Sequence, residues 1–179
     1  MNRITIRPAL AGDESQIAKV HIQSWQEAYE GLIPQNYLDR LAFELEDRIK
    51  MWKRTLANSQ RWTWVAEGSD GIVGFILFGS PRDQNRDDFI ELGAIYLLGS
   101  EKGKGVGSSL LLEGFCAMKE LGYQKAYCWV LEGNPTTKFY ESSGASFSGN
   151  KKEDEIRGKI FNEWMYEWSD LSLPAKCSQ

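Results

Sequence analysis

Phe89-Ile90-Glu91-Leu92-Gly93-Ala94-Ile95-Tyr96-Leu97-Leu98 runs into Gly99-Ser100-Glu101-Lys102-Gly103-Lys104-Gly105-Val106-Gly107-Ser108 and then into a leucine-rich segment. The first ten residues have the composition of a buried strand. The glycines break it, and the leucines continue as an amphipathic helix. A second strand pattern follows at Lys125–Leu131. Asn134-Pro135 then opens another helix holding Phe139-Tyr140, and Gly144-Ala145-Ser146-Phe147 lies beyond it. A strand-helix-strand unit of this kind requires a parallel strand pair with a right-handed crossover.

The loop between strand and helix has the chemistry of an anion site. Gly103, Gly105 and Gly107 accept unusual dihedrals and expose backbone N–H groups. The helix starting near Gly105 aims its positive end at the same point, and Lys102 and Lys104 add charge. A pyrophosphate fits that description. A Walker A loop does not fit, since Gly103-Lys104 is followed by Gly105 and not by Ser or Thr. The dinucleotide fingerprint does not fit either, because Gly103-x-Gly105-x-Gly107 has the wrong spacing and lies late in the chain.

Upstream, Ile4–Arg7 alternates as a short strand. Asp13 with Gln16 has the form of a capping box. Ile17, Val20, His21, Ser24, Trp25 and Ala28 then share one helical face. Gly31 and Pro34 break the chain, Asn36 suits a second N-cap, and Leu38, Leu41, Leu45, Ile49, Trp52 and Leu56 form the next stripe. Trp62–Glu67 and Ile72–Phe78 flank a Gly68–Gly71 turn as a hairpin. Pro81–Asp88 is a polar loop. Downstream, Lys151–Asp154 is expected as a charged loop and Gly158–Trp168 as a last strand. The expected organisation is one domain over residues 1–170, with a frayed tail over 171–179. Hairpin and crossover together require an α/β (α+β-like) mixed sheet, mostly antiparallel, with helices on both faces.

Bulk properties exclude some classes. A net charge of −4 and a pI near 5.2 argue against nucleic acid as a partner. No apolar run approaches the ~20 residues a membrane span needs. The N-terminus leads straight into a strand pattern without a leader, which implies the cytoplasm. Cys116, Cys128 and Cys177 match no metal motif, so no metal site is expected; Cys116 and Cys128 fall in a helix and a strand and are expected as buried inert thiols.

On the loop Lys102–Gly107, the Val130-Leu131 strand end, Asn134, Phe139-Tyr140-Glu141 and Gly144-Ala145, the chain resembles the GNAT superfamily of acyl-CoA N-acyltransferases. Lys102 stands where the family signature has Arg or Gln, which keeps charge and loses the forked donor geometry. The resemblance extends to Trp25–Pro34 and Tyr37-Leu38, similar to the first helical region of small-molecule-type members. It implies acetyl-CoA as co-substrate, lying in a V between two splayed parallel strands. Backbone groups of Ile95, Tyr96 and Leu97 would pair with the pantetheine arm. Lys102, Gly103, Lys104, Gly105, Val106, Gly107 and Ser108 would hold the pyrophosphate.

The implied reaction is direct attack of an amine on the thioester. Tyr140 matches the family's acid position, since a phenol is protonated at pH 7 and can donate to a thiolate. Asn134 can cap its helix and, in relatives, also contacts the cofactor arm. Glu91 is the candidate base, and His21, the only histidine, is a weaker one. Trp25, Tyr29 and Tyr37 are the candidate acceptor-binding residues, suited to a small-molecule amine. A non-catalytic acyl-CoA sensor and an acetyltransferase acting on a protein N-terminus or lysine are the alternatives. Trp164 and Trp168 suit either core or the contact of a homodimer.

Overall fold

A computed structural model describes residues 4–83, 85–156 and 158–171. The order of elements is β1 (Thr5–Pro8), α1 (Glu14–Ala28), α2 (Gln35–Arg40), α3 (Leu45–Leu56), β2 (Arg61–Gly68), β3 (Gly71–Gly79), β4 (Phe89–Leu97), α4 (Val106–Glu120), β5 (Lys125–Leu131), α5 (Thr137–Ser142), β6 (Ser146–Ile156) and β7 (Lys159–Trp168). One seven-stranded sheet runs β1-β2-β3-β4-β5-β7-β6. Every neighbouring pair is antiparallel except β4 with β5. The mixed, mostly antiparallel sheet expected from the sequence is therefore present.

The parallel pair is short. It joins Phe89 to Lys125, Ile90 to Ala126 and Glu91 to Tyr127, and no further. From Leu92 onward β4 keeps only β3 as a partner, and from Cys128 onward β5 keeps only β7. The two strands splay into a V. A bulge helps to start it: Leu77 pairs with Ala94 and Phe78 with Leu92, leaving Gly93 without a partner across β3. An extra residue on one strand bends it and raises its twist.

Helix α4 covers one face through Leu110, Leu111, Phe115 and Met118, packed on Ile76, Phe78, Ile90 and Leu92. The fit is close: a Cβ on Gly114 would lie 2.3 Å from the Phe78 ring, so only glycine lets α4 sit this near the sheet. Helices α1 and α3 cover the other face, where Ile17, Ala18, Val20 and Trp52 meet Val65 and Phe75. Burying each such side chain stabilises the fold by about 1.5–3 kcal/mol.

Several local expectations change. Lys151–Asp154 is not a loop but part of β6, an outer strand whose charged residues blunt the sheet edge. Asp13 makes no side-chain cap; its carboxylate takes two bonds from Arg7 and one from the Leu10 N–H. Gln16 instead accepts from the Ile72 N–H, tying α1 to the β2–β3 turn. Helix α2 starts at Gln35 after Pro34, so Asn36 lies inside it, and a 3₁₀ turn at Leu41–Glu44 splits the long stripe from α3. Leu171 is buried and bonds the Gln124 carbonyl, so the folded domain runs at least to residue 171; residues 172–179 lie outside the described residues. Trp168 is core, packed on Phe115 and Tyr140, and offers no surface to a dimer. Cys128 is a buried free thiol as expected, whereas Cys116 is disulfide-bonded; Cys177 lies outside the described residues. Among the described residues no helix is long and apolar enough to cross a membrane, and no cluster of metal ligands forms.

Candidate active site

The V opens into a cavity of about 480 Å³. Leu92 to Leu97 form one wall, Trp129 and Val130 the other. Lys102, Gly103, Gly105, Gly107 and Ser108 line it from the loop and the start of α4, and Ser24, Ala28 and Tyr29 from α1 and its C-terminal turn. Asn134, Thr136, Phe139 and Tyr140 complete it. Gly103 and Gly105 sit at φ +75° and +81°, the left-handed region, with open space where a Cβ would point. Gly105 is the N-terminal flank of α4, so the unpaired N–H groups of that helix face the same space. Lys104 and Val106 do not line the cavity. Lys104 bonds Glu101 at 3.3 Å, and Val106 is buried in the first turn of α4. Lys102 lines it, without an ion-pair partner among the described residues.

Asn134 is buried, and its Oδ1 accepts from the Thr136 N–H at 2.9 Å. That bond closes a turn before α5, which begins at Thr137, so Pro135 is not its first helical residue. The Asn134 amide nitrogen has no partner among the described residues, a spare donor in the cavity wall. The Tyr140 phenol also lines the cavity. Burial, and then the neighbouring Cys128, push its pKa well above the ordinary phenol value, so it stays protonated at neutral pH. Beyond Glu91, β4 presents an edge to the cavity with no strand on it, suited to pair with an extended amide chain.

The remaining candidates divide. Glu91 lies beneath the Arg82 loop, outside the cavity lining. The Arg82 Nε donates to its carboxylate at 2.9 and 3.0 Å, Nη2 donates as well, and the Tyr127 phenol donates at 3.1 Å. A carboxylate so engaged braces the point where β4 and β5 part. His21 is a poor base: burial, then Arg48, pull its pKa down to about 3, and its Nδ1 already accepts from the Trp52 indole at 3.1 Å. Trp25 and Tyr29 converge on the Tyr96 hydroxyl, at 2.7 and 2.9 Å. The Tyr96 side chain thus points under α1, while its backbone stays on the cavity wall. Tyr37 does not line this cavity; its ring packs 6.1 Å from Trp25 and backs it. Trp129 and Gly93 also line the cavity without a signal in the sequence reading; alternation from Tyr127 on β5 is what puts Trp129 on the same face as Tyr127.

A profile of the acetyltransferase (GNAT) family matches residues 22–145. An uncharacterized N-acetyltransferase of Bacillus subtilis (strain 168), YuaI, is 36% identical over 173 residues, covering 94% of this chain and 95% of its own. The chain belongs to the GNAT acetyltransferase family. This GNAT enzyme shares its fold with the PaiA N-acetyltransferase of Thermoplasma acidophilum, solved in complex with coenzyme A (TM-score 0.73, 22% identity, 92% and 98% of the two chains). An N-acetyltransferase from Staphylococcus aureus Mu50 superposes similarly (TM-score 0.69, 23% identity, 95% and 99%). The protein is thus an N-acetyltransferase, with acetyl-CoA as its co-substrate and an amine as acceptor.

Proposed function

We propose that this GNAT enzyme acetylates a primary amine of a small molecule by direct attack, with Tyr140 as general acid. The observation that carries the reading is the protonated Tyr140 phenol in a cavity that also contains the glycine cradle and the unpaired β4 edge. Acetyl-CoA brings an activated acetyl thioester to that cavity. The N–H groups from Gly103 to Ser108, with Lys102, would hold its pyrophosphate. The backbone of Ile95, Tyr96 and Leu97 and the spare amide of Asn134 would hold its arm.

As the acceptor nitrogen bonds the carbonyl carbon and the C–S bond breaks, the leaving sulfur takes the Tyr140 proton; water restores it. The nitrogen loses its own proton to water, since among the described residues no Asp, Glu or His lines the cavity. Glu91 is assigned a bracing role, and His21 none in proton transfer. Trp25 and Tyr29 roof the acceptor end. The pyrophosphate keeps the co-substrate from crossing membranes, which supports a cytoplasmic site of action.

The test is Tyr140→Phe beside wild type, with acetyl-CoA binding by calorimetry and thiol release against an amine panel. The expected result is unchanged acetyl-CoA affinity with kcat lower by about 100-fold. Unchanged kcat would overturn the acid assignment. A folded wild type that binds no acetyl-CoA would overturn the cradle.

A further inference from the structure

A second cavity of about 720 Å³ lies on the α1–α3 face. It adjoins the first: Gly93, Ala94 and Tyr96 line both. We propose that it seats the acceptor, and that it selects an amine carrying an anionic group, a carboxylate or a phosphate. This rests on the acetyltransferase reading and deepens it by naming the acceptor's chemistry.

Charge is the first argument. Arg48, Lys50 and Arg54 of α3 and Arg61 of β2 line the cavity against a single acid, Asp47. This concentration occurs on a chain whose net charge is −4. Basic residues in the last turn of α3 would by themselves only complement the helix dipole. Arg61 comes from a different element and Arg48 from nearly two turns earlier, so the cations converge on a space and not on a helix end. Asp47 is taken by Lys50 at 3.2 Å, and Arg48 reaches Glu44 only at 3.6 Å. The side chains of Arg54 and Arg61 have no hydrogen-bond or ion-pair partner among the described residues.

Preorganisation is the second argument. Arg61 pairs with Gly79 across β2 and β3. A Cβ on Gly79 would lie 2.9 Å from the Arg61 Nη1, so the missing side chain makes the room in which the guanidinium lies. A held, unpaired guanidinium is a fork for carboxylate or phosphate oxygens.

His21 is the third. It is neutral, and because Nδ1 accepts from Trp52, its remaining proton sits on Nε2. That N–H has no partner among the described residues, and His21 lines the cavity. An anion bridging Arg61 and Arg48 would satisfy it. The same cations disfavour a polyamine. They also lower the pKa of an ammonium bound beside them, which favours the free amine.

The experiment compares matched acceptors by kcat/KM: α-amino acids against their carboxamides, and phosphoethanolamine against ethanolamine, with wild type, Arg54→Gln and Arg61→Gln. Acetyl-CoA affinity is measured for each protein by calorimetry. Wild type is expected to prefer one anionic series by at least about tenfold, and which series wins separates carboxylate from phosphate. Arg61→Gln is expected to raise KM for that series about tenfold, with kcat within about threefold and acetyl-CoA affinity unchanged. Inorganic phosphate should also shift the His21 Nε2 resonance in wild type and not in Arg61→Gln. Normal acetyl-CoA binding with neutral amines or polyamines used equally well overturns the proposal and leaves the enzyme's function standing. An anion preference untouched by both substitutions overturns the assignment to this cavity. Absence of acetyl-CoA binding overturns both readings.

Discussion

Strand β4 has two ends that are treated in opposite ways. At Phe89–Glu91 it is joined to β5, and its polar side chain is saturated: Glu91 is held by Arg82 and Tyr127. At Leu92–Leu97 it stands apart from β5, and among the described residues donors go unpaired around it, on Asn134, on His21 and on the strand's own edge. A fold that satisfies its buried groups almost completely leaves a few unmatched where a ligand completes them. The closed end buys stability and the open end keeps binding capacity.

The largest test of this contrast is acid. His21 is the only histidine, and its folded pKa of about 3 lies below the 6.5 of an unfolded chain. Below pH 6.5 the unfolded chain takes up a proton that the folded protein refuses. Stability is therefore complete above pH 6.5 and falls as pH drops toward 3, by about 1.4 kcal/mol per unit. Urea midpoints between pH 7 and pH 4.5 should register about 2.5 kcal/mol lost, and His21→Gln should flatten that slope. A slope that survives the substitution would show that the open end does not hold a neutral imidazole.

Next comes Glu91→Gln. It removes one charge of a pair whose acid is buried and whose arginine is 63% exposed. The cost should be about 2 kcal/mol in urea, less than for a fully buried pair. The pH profile of kcat/KM should keep its shape. A lost limb in that profile with undiminished stability would return Glu91 to the role of base.

Smaller effects follow in the loop. Gly105→Ala forces an alanine to φ +81° and should cost about 1 kcal/mol, with acetyl-CoA affinity weaker because the helix-end donors turn. Glu101→Gln frees Lys104 from a bond on the rim. Acetyl-CoA affinity should tighten about twofold in low salt and lose the gain near 1 M.

What the sequence made legible and what it hid divide along physical lines. The strand, the glycine loop and α4 are local patterns, and Tyr140 and the loop glycines that they point to line one cavity. Glu91 reads as a candidate base in the sequence because its partner, Arg82, sits in a polar loop whose path no periodicity records. The tally of polar residues at Lys151–Asp154 suggested a loop because β6 is an outer strand, wetted enough to need no apolar alternation. Gln16 had the spacing of a capping box, but a turn 56 residues away claimed its oxygen. The second cavity was invisible for the same reason: Arg48, Arg54 and Arg61 meet only when α3 is laid over β2 and β3.

The unpaired Gly93 also resets the strand's phase. Before it, the even-numbered Ile90 and Leu92 face α4; after it, the odd-numbered Ile95 and Leu97 do, and Ala94 and Tyr96 turn to the opposite side. A regular ladder through Gly93, pairing Leu77 with Gly93 and Ile76 with Ala94, would rotate everything from Ala94 to Leu97 by half a turn. Tyr96 would swing out from under Trp25 and Tyr29 into the packed side, with no atom of any ligand-binding side chain altered. Grafting this strand into another acetyltransferase therefore requires counting residues through Gly93 and not matching the apolar pattern across it.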